Sequence, residues 1–346
     1  MAAEIEYQEI ENVLEQILGD GISFEQMVTE VVDGQKVWSV GQWIRLLADV
    51  ILEQLHTHGQ MIGYLFLLMI SAAVLSAIAK AFRSRQISDM GFYMIYLLLF
   101  LIIMKSFGTC YTLTEAVLKD LMDFMKVLMP AYLMAAAAGA YRTSAVVYYE
   151  GFFVLIYYIQ KFVAYILLPA IRCYVLFTMF AHLGEEDLFS KGREGMKKLI
   201  LFFLKAMIGV TVGMQMIQGM ITPAIDEVKH TAISRGVQSL GSMGNVTKNV
   251  TDVLLGSGML LKNGIGVAAT VVIIAICLLP AIQVLTHMLF YQILAAVSEP
   301  ISDKRMINMI GEVSDGIGLL VKLLFSIGTM FLLIIVIVCI TTGGIL

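Results

Sequence analysis

Long apolar runs, broken by short polar segments, predict a chain made of helices. Near the start, Ile10, Val13, Leu14, Ile17 and Leu18 recur at helical spacing. Gly19-Asp20-Gly21 stops that helix. Ser23 and Gln26 form a capping-box pattern ahead of Met27, Val28, Val31 and Val32, and Asp33-Gly34 turns the chain again. Trp43, Ile44, Leu47, Val50, Ile51 and Leu55 make a third amphipathic pattern. The spacing therefore predicts two or three short helices over residues 1–58, free to pack on each other, on a membrane surface or on a partner.

From residue 59 the pattern changes to runs that approach the roughly 20 apolar residues a helix needs to cross a bilayer. Eight crossings are expected, at about 60–79, 91–110, 121–140, 144–160, 162–183, 199–221, 263–298 and 317–341. The fourth and fifth read as a tight hairpin with Lys161 at its tip. The seventh is the longest: 36 residues, Asn263 to Ser298, contain no Asp, Glu, Lys or Arg. That exceeds one straight crossing, and Pro280 near its middle predicts a kinked or broken helix. Before it, residues 223–264 mix polar residues with helical apolar spacing and many glycines. They read as a re-entrant segment lining a pore or as an amphipathic surface helix.

Composition turns these helices into membrane helices. Soluble domains are about 45–50% apolar and about 25% charged, whereas this chain is 59% hydrophobic and 14% charged, with a mean hydropathy of +0.85. So large an apolar surplus requires lipid as solvent. The expected fold is an all-α polytopic membrane bundle (residues 59–346) preceded by the amphipathic helical unit (residues 1–58). The net charge of −4 argues against a nucleic-acid partner.

Charge also orients the chain. Residues 1–58 hold 11 acidic and two basic residues. With this unit outside, the inner loops collect Lys80, Arg83, Arg85, Arg142, Lys191, Arg193, Lys197, Lys198, Lys304 and Arg305, as the positive-inside rule asks. Residues 223–264 place four further basic residues outside, which opposes this reading. An external N-terminal unit needs an export signal, and residues 1–15 are acidic and do not read as one. Either a signal has been removed ahead of Met1 or the orientation is reversed.

Few residues offer chemistry. The four cysteines, Cys110, Cys173, Cys277 and Cys339, are far apart with no metal or disulfide spacing. His182 and His287 read as isolated. No phosphate loop, HExxH or GxSxG occurs, so no catalytic, cofactor-binding or metal residue is assigned, and no enzyme is expected. Glu150 and Arg172 each lie 11 residues from Lys161, which would bring them to one depth as a buried ion pair across the hairpin. Lys105, Lys126, Lys205 and Lys322 read as side chains snorkelling from span ends. Pro130, Pro169 and Pro280 are candidate kinks. Gly209 and Gly213, a GxxxG pair, are candidate helix-packing positions. Asp226, Lys229, Lys262 and Asn263 are candidates for a pore-lining or partner-binding segment.

Pro223-Ala-Ile-Asp226, Leu261-Lys-Asn-Gly-Ile-Gly266, Leu279-Pro-Ala-Ile282 and Tyr291-Gln-Ile-Leu-Ala-Ala-Val-Ser-Glu-Pro-Ile-Ser-Asp303, in that order, resemble the stage III sporulation protein AE family of endospore-forming bacteria. The resemblance is dense over about 200–342 and extends more loosely toward the N-terminus. It implies a polytopic subunit of the channel-like, secretion-related complex joining mother cell and forespore. The implied partners are membrane lipid, an ATPase, small multi-span proteins and ring-forming proteins, with a homo-oligomer also open. The implied location is the mother-cell membrane around the forespore. The family's members usually begin with an export signal, which implies an extracytoplasmic N-terminus after signal removal. The alternative from the residues themselves is a stand-alone secondary transporter for a small solute, with a polar site between broken helices.

Overall fold

The computed structural model describes residues 7–18, 23–33, 48, 52, 59, 63–71, 73–74, 85–138, 154–183, 190–237, 244–300 and 302–341. Among these, side chains are described except at 18, 85–89, 133–138, 215, 217–259, 261–262 and 337–341. All regular structure among them is helical: α1 (Gln8–Leu18), α2 (Phe24–Val32), α3 (Arg85–Ala138), α4 (Val154–Ala181), α5 (Ser190–Val237), α6 (Gly244–Ser298) and α7 (Lys304–Thr341). Residues 63–71 are helical too. The third amphipathic pattern, Trp43 to Leu55, lies outside the described residues apart from 48 and 52.

α1 and α2 form where the local code asks for them. Ser23 caps α2: its hydroxyl accepts from the Gln26 N–H at 3.3 Å and donates to Glu11 Oε1 at 2.7 Å. Glu11 Oε1 also accepts the Glu25 N–H at 3.0 Å, which ties the end of one helix to the start of the next. Ile10, Leu14, Phe24, Met27 and Val28 are buried, while Glu9, Glu15 and Glu25 are exposed. Ser23→Ala is expected to cost α2 about 1 kcal/mol, read as faster amide exchange at Gln26 and its neighbours.

The long helices differ from the expected spans in two places. Residues 91–110 and 121–140 were expected to be separate crossings, yet 91–110 and 121–138 both belong to α3, a 54-residue helix, and 139–140 lie outside the described residues. The polar residues between them do not break it, because they share one face: Thr109, Thr112, Glu115 and Lys119 are exposed, and Thr114, Val117, Leu118 and Leu121 are buried. The hairpin at Lys161 is likewise absent. Lys161 lies inside α4, which runs on through residues 163–167 as a π-turn.

That π-turn has a local cause. Pro169 has no N–H to donate and its ring clashes with the carbonyl four residues back. The chain widens by one residue just before it, and the Leu168 N–H reaches the Val163 carbonyl five positions back. Pro130 and Pro280 instead sit inside the continuous helices α3 and α6. The 223–264 stretch is also mostly helical backbone, shared between the end of α5 and the start of α6.

α7 is the central helix. It packs most extensively on α6 and also contacts α5, α4 and α3. Glycines let it sit close. A Cβ at Gly316 would overlap Val175 of α4, and one at Gly328 would lie 3.0 Å from Cys277 Sγ of α6. Gly264 of α6 does the same for α2, where a Cβ would stand 3.0 Å from Val32 and 3.2 Å from the Val28 carbonyl. The N-terminal helices thus share one hydrophobic core with the bundle, where Phe24 meets Phe124 edge-on at 6.4 Å.

Candidate functional site

The most concentrated polar chemistry lies where α4 ends, α5 begins and the first turns of α7 pass. Arg193 of α5 is only 7% exposed and donates to Glu312 Oε2 of α7. His182, at the C-terminus of α4, places Nε2 3.4 Å from Glu312 Oε1 and 3.2 Å from the Arg193 guanidinium. One turn on, Lys197 Nζ meets Asp315 Oδ2 at 2.5 Å. Arg193 and Lys197 are four residues apart, and Glu312 and Asp315 are three apart. Each pair therefore shares a helix face, and the two faces are complementary.

Two further contacts mark the same end of the bundle. The Arg305 guanidinium lies 3.7 Å over the Phe92 ring, which joins the start of α7 to the start of α3. The Tyr96 hydroxyl donates to the Met179 carbonyl, joining α3 to the end of α4. Outside the cluster, the hydrogen bond and charge of Lys198 hold the exposed Glu194 carboxyl below the usual carboxylate range. The arrangement pairs charges and clamps helices. No group of three or more metal-ligating side chains occurs among the described residues.

Sequence reasoning missed this cluster. It placed Arg193 and Lys197 in an inner loop, passed over Glu312 and Asp315, and read His182 as isolated. The available signal was the matching i,i+4 and i,i+3 spacing of opposite charges. His287 does bond within its own helix, Nδ1 to the Gln283 carbonyl at 2.9 Å.

The expected site residues are dispersed. Glu150 lies outside the described residues, and the hairpin that was to face it toward Arg172 is not formed. Arg172 instead lies 5.5 Å over the Tyr111 ring. A Cβ at Gly209 or Gly213 would meet nothing within 4 Å, so neither admits another described helix. Asp226, Lys229 and Lys262 are on helical backbone, with side chains outside the described set. Asn263 is half-buried, and its Oδ1 has no hydrogen-bond partner among the described residues. Lys322 is 18 residues into α7 rather than near a helix end.

Among the described residues, four helices are long and apolar enough to cross a bilayer: Met90–Tyr132, Val154–Ala181, Asn263–Ser298 and Lys304–Val336. Their length and apolar composition define a polytopic α-helical membrane protein. The chain belongs to the stage III sporulation protein AE family, whose profile matches residues 22–342. It is 21% identical over 316 residues to stage III sporulation protein AE of Bacillus subtilis (strain 168), covering 91% of this chain and 79% of that one. No solved structure matches. Membership places the chain among sporulation proteins of the membrane.

Proposed function

We propose that this chain is a non-enzymatic subunit of the channel-like complex between mother cell and forespore, seated in the mother-cell membrane around the forespore. The family match over residues 22–342 carries this reading. Residues 1–58 are the amphipathic, extracytoplasmic unit, and residues 59–346 form the transmembrane domain. Partners are membrane lipid, the complex's ATPase, its small multi-span and ring-forming proteins, and further copies of this chain. The open faces at Gly209 and Gly213 support contact with such partners.

The orientation is supported by the two ends of the bundle. Arg193, Lys197 and Arg305 gather at one end, and α1 and α2 pack around Phe124 and Gly264 at the other. Reading each continuous helix as one crossing gives six crossings rather than eight: residues 60–79 and α3 to α7. The path then alternates, with α3, α5 and α7 starting at the basic end and α4 and α6 finishing there. Arg142 moves from the inner to the outer side in this scheme.

Purification in mild detergent from sporulating cells tests the reading. Co-elution with other complex subunits, or a ring-like oligomer, is the expected result. A monomer enclosing a solute cavity at mid-membrane would favour the transporter instead.

A further inference from the structure

The long helices of the bundle are longer than a membrane is thick. Met90–Tyr132 is 43 residues, about 65 Å at helical rise, against about 30 Å of hydrocarbon. The surface of α3 shows where the mismatch goes. Its outward positions are apolar at Met90, Met94, Leu98 and Leu101, which are 50–73% exposed. From Lys105 onward they are polar: Thr109 and Thr112 bond back to their own helix, and Glu115, Lys119 and Lys126 follow. Lys126 pairs with Asp123 at 2.7 Å, with both side chains more than a third exposed.

The neighbours of this distal half are also wet. α1 packs on α3, and Phe24 of α2 meets Phe124. These two helices expose Glu9, Glu15 and Glu25. If distal α3 were in hydrocarbon, those carboxylates would be there too, at a cost of several kcal/mol each. The uncharged distal part of α6 turns most of its apolar surface inward: Ile265, Ala268, Ala269, Val272 and Ile273 are buried in protein, with Val267 exposed among them.

α4 supplies the far boundary. Lys161 lies 5.5 Å over the Tyr157 ring and 5.0 Å over the Tyr165 ring, and Tyr158 and Tyr165 are 66% and 70% exposed. Exposed tyrosines with a lysine are what a headgroup layer selects. From Lys161 to His182 is 21 residues, about 30 Å; the exposed Arg172 between them turns its guanidinium over the ring of Tyr111, which lies toward the far face on α3. From Phe92, stacked under Arg305, the same distance along α3 ends just short of Glu115; within it the Lys105 stem can lift its ammonium toward the far face, and Thr109 and Thr112 satisfy their hydroxyls on their own helix.

We propose that the bilayer covers only the half of the bundle next to Arg193 and Arg305, with its far face at the Tyr157–Lys161–Tyr165 belt. There the ammonium and phenols meet phospholipid headgroups. α1, α2 and the distal parts of α3 and α6 stand beyond it as a water-exposed head. This placement is independent of the proposed complex, since it requires only a bilayer.

The test uses the full chain in leaky phosphatidylethanolamine/phosphatidylglycerol vesicles, with cysteine variants labelled by a sulfonated, lipid-insoluble maleimide. Thiol reaction needs a hydrated thiolate, so Lys119→Cys and Lys126→Cys are expected to label about tenfold or more faster than Leu98→Cys. A second arm leaves the native cysteines in place. Leu98→Trp is quenched by lipids brominated near the chain end, Tyr158→Trp by lipids brominated near the headgroup, and Lys119→Trp by neither. Protection of positions 119 and 126 equal to that of 98, or quenching at 119 by either lipid, would overturn the proposal. So would labelling of position 98 as fast as 119.

Discussion

Arg193→Met is expected to destabilise the bundle by about 2–3 kcal/mol, read as unfolding at a lower fraction of denaturing detergent. Removing one member of a buried ion pair costs about 3–5 kcal/mol, because the other charge is left without its partner. Here Glu312 is 35% exposed, which softens the loss. Glu312 would keep only His182 at 3.4 Å, and α5 would lose its clamp on α7. The double variant Arg193→Met with Glu312→Leu should recover most of the stability, since two apolar side chains replace the pair without stranding a charge. If the single variant unfolds with the parent, the cluster does not hold these helices together.

The second large effect is steric. Gly316→Ala should cost about 2 kcal/mol, because the new methyl group overlaps Val175 in a packed core where overfilling costs about 1–3 kcal/mol. Val175 is fully buried and β-branched, so it has little room to turn aside. Adding Val175→Ala should restore stability by clearing the space. Gly209→Ala and Gly213→Ala are the contrast. With nothing within 4 Å of either position, each should leave the isolated chain unchanged or steadier by up to about 1 kcal/mol through helix propensity. A loss at Gly209 or Gly213 seen only in the assembled complex would locate a partner there. Thermal unfolding in detergent, with and without partners, separates the two cases.

The local features were legible before the fold was known. The Ser23 cap, the buried positions Ile10, Leu14, Met27 and Val28, and the helical nature of the membrane segments follow from the periodicity and chemistry of neighbouring residues. Sporulation-family membership was legible in the ordered motifs of residues 223–303 and agrees with the match over 22–342.

Charge proved a poor guide to where helices end. Glu115, Lys119 and Asp120 looked like a loop between two spans, and Lys161 looked like a hairpin tip. A polar residue ends a membrane crossing, but it need not end a helix, because backbone hydrogen bonds continue wherever the side chain can reach water. The same ambiguity hid the cause of the uncharged run Asn263–Ser298. Lipid and protein core are equally apolar, so the run reads as membrane, and it is long and apolar enough to cross one, while much of it is also buried against α7 and α3.

Composition and periodicity, then, determined that this is a helical membrane protein and which faces of its short helices are apolar, because those properties belong to neighbours along the chain. Only the tertiary structure decided that α7 lies at the centre, that Arg193 and Lys197 meet Glu312 and Asp315 across more than a hundred residues, and that Gly316 and Gly328, rather than Gly209 and Gly213, carry close helix contacts. Those facts depend on which helices become neighbours in space, and spacing along a single helix holds no record of its partner.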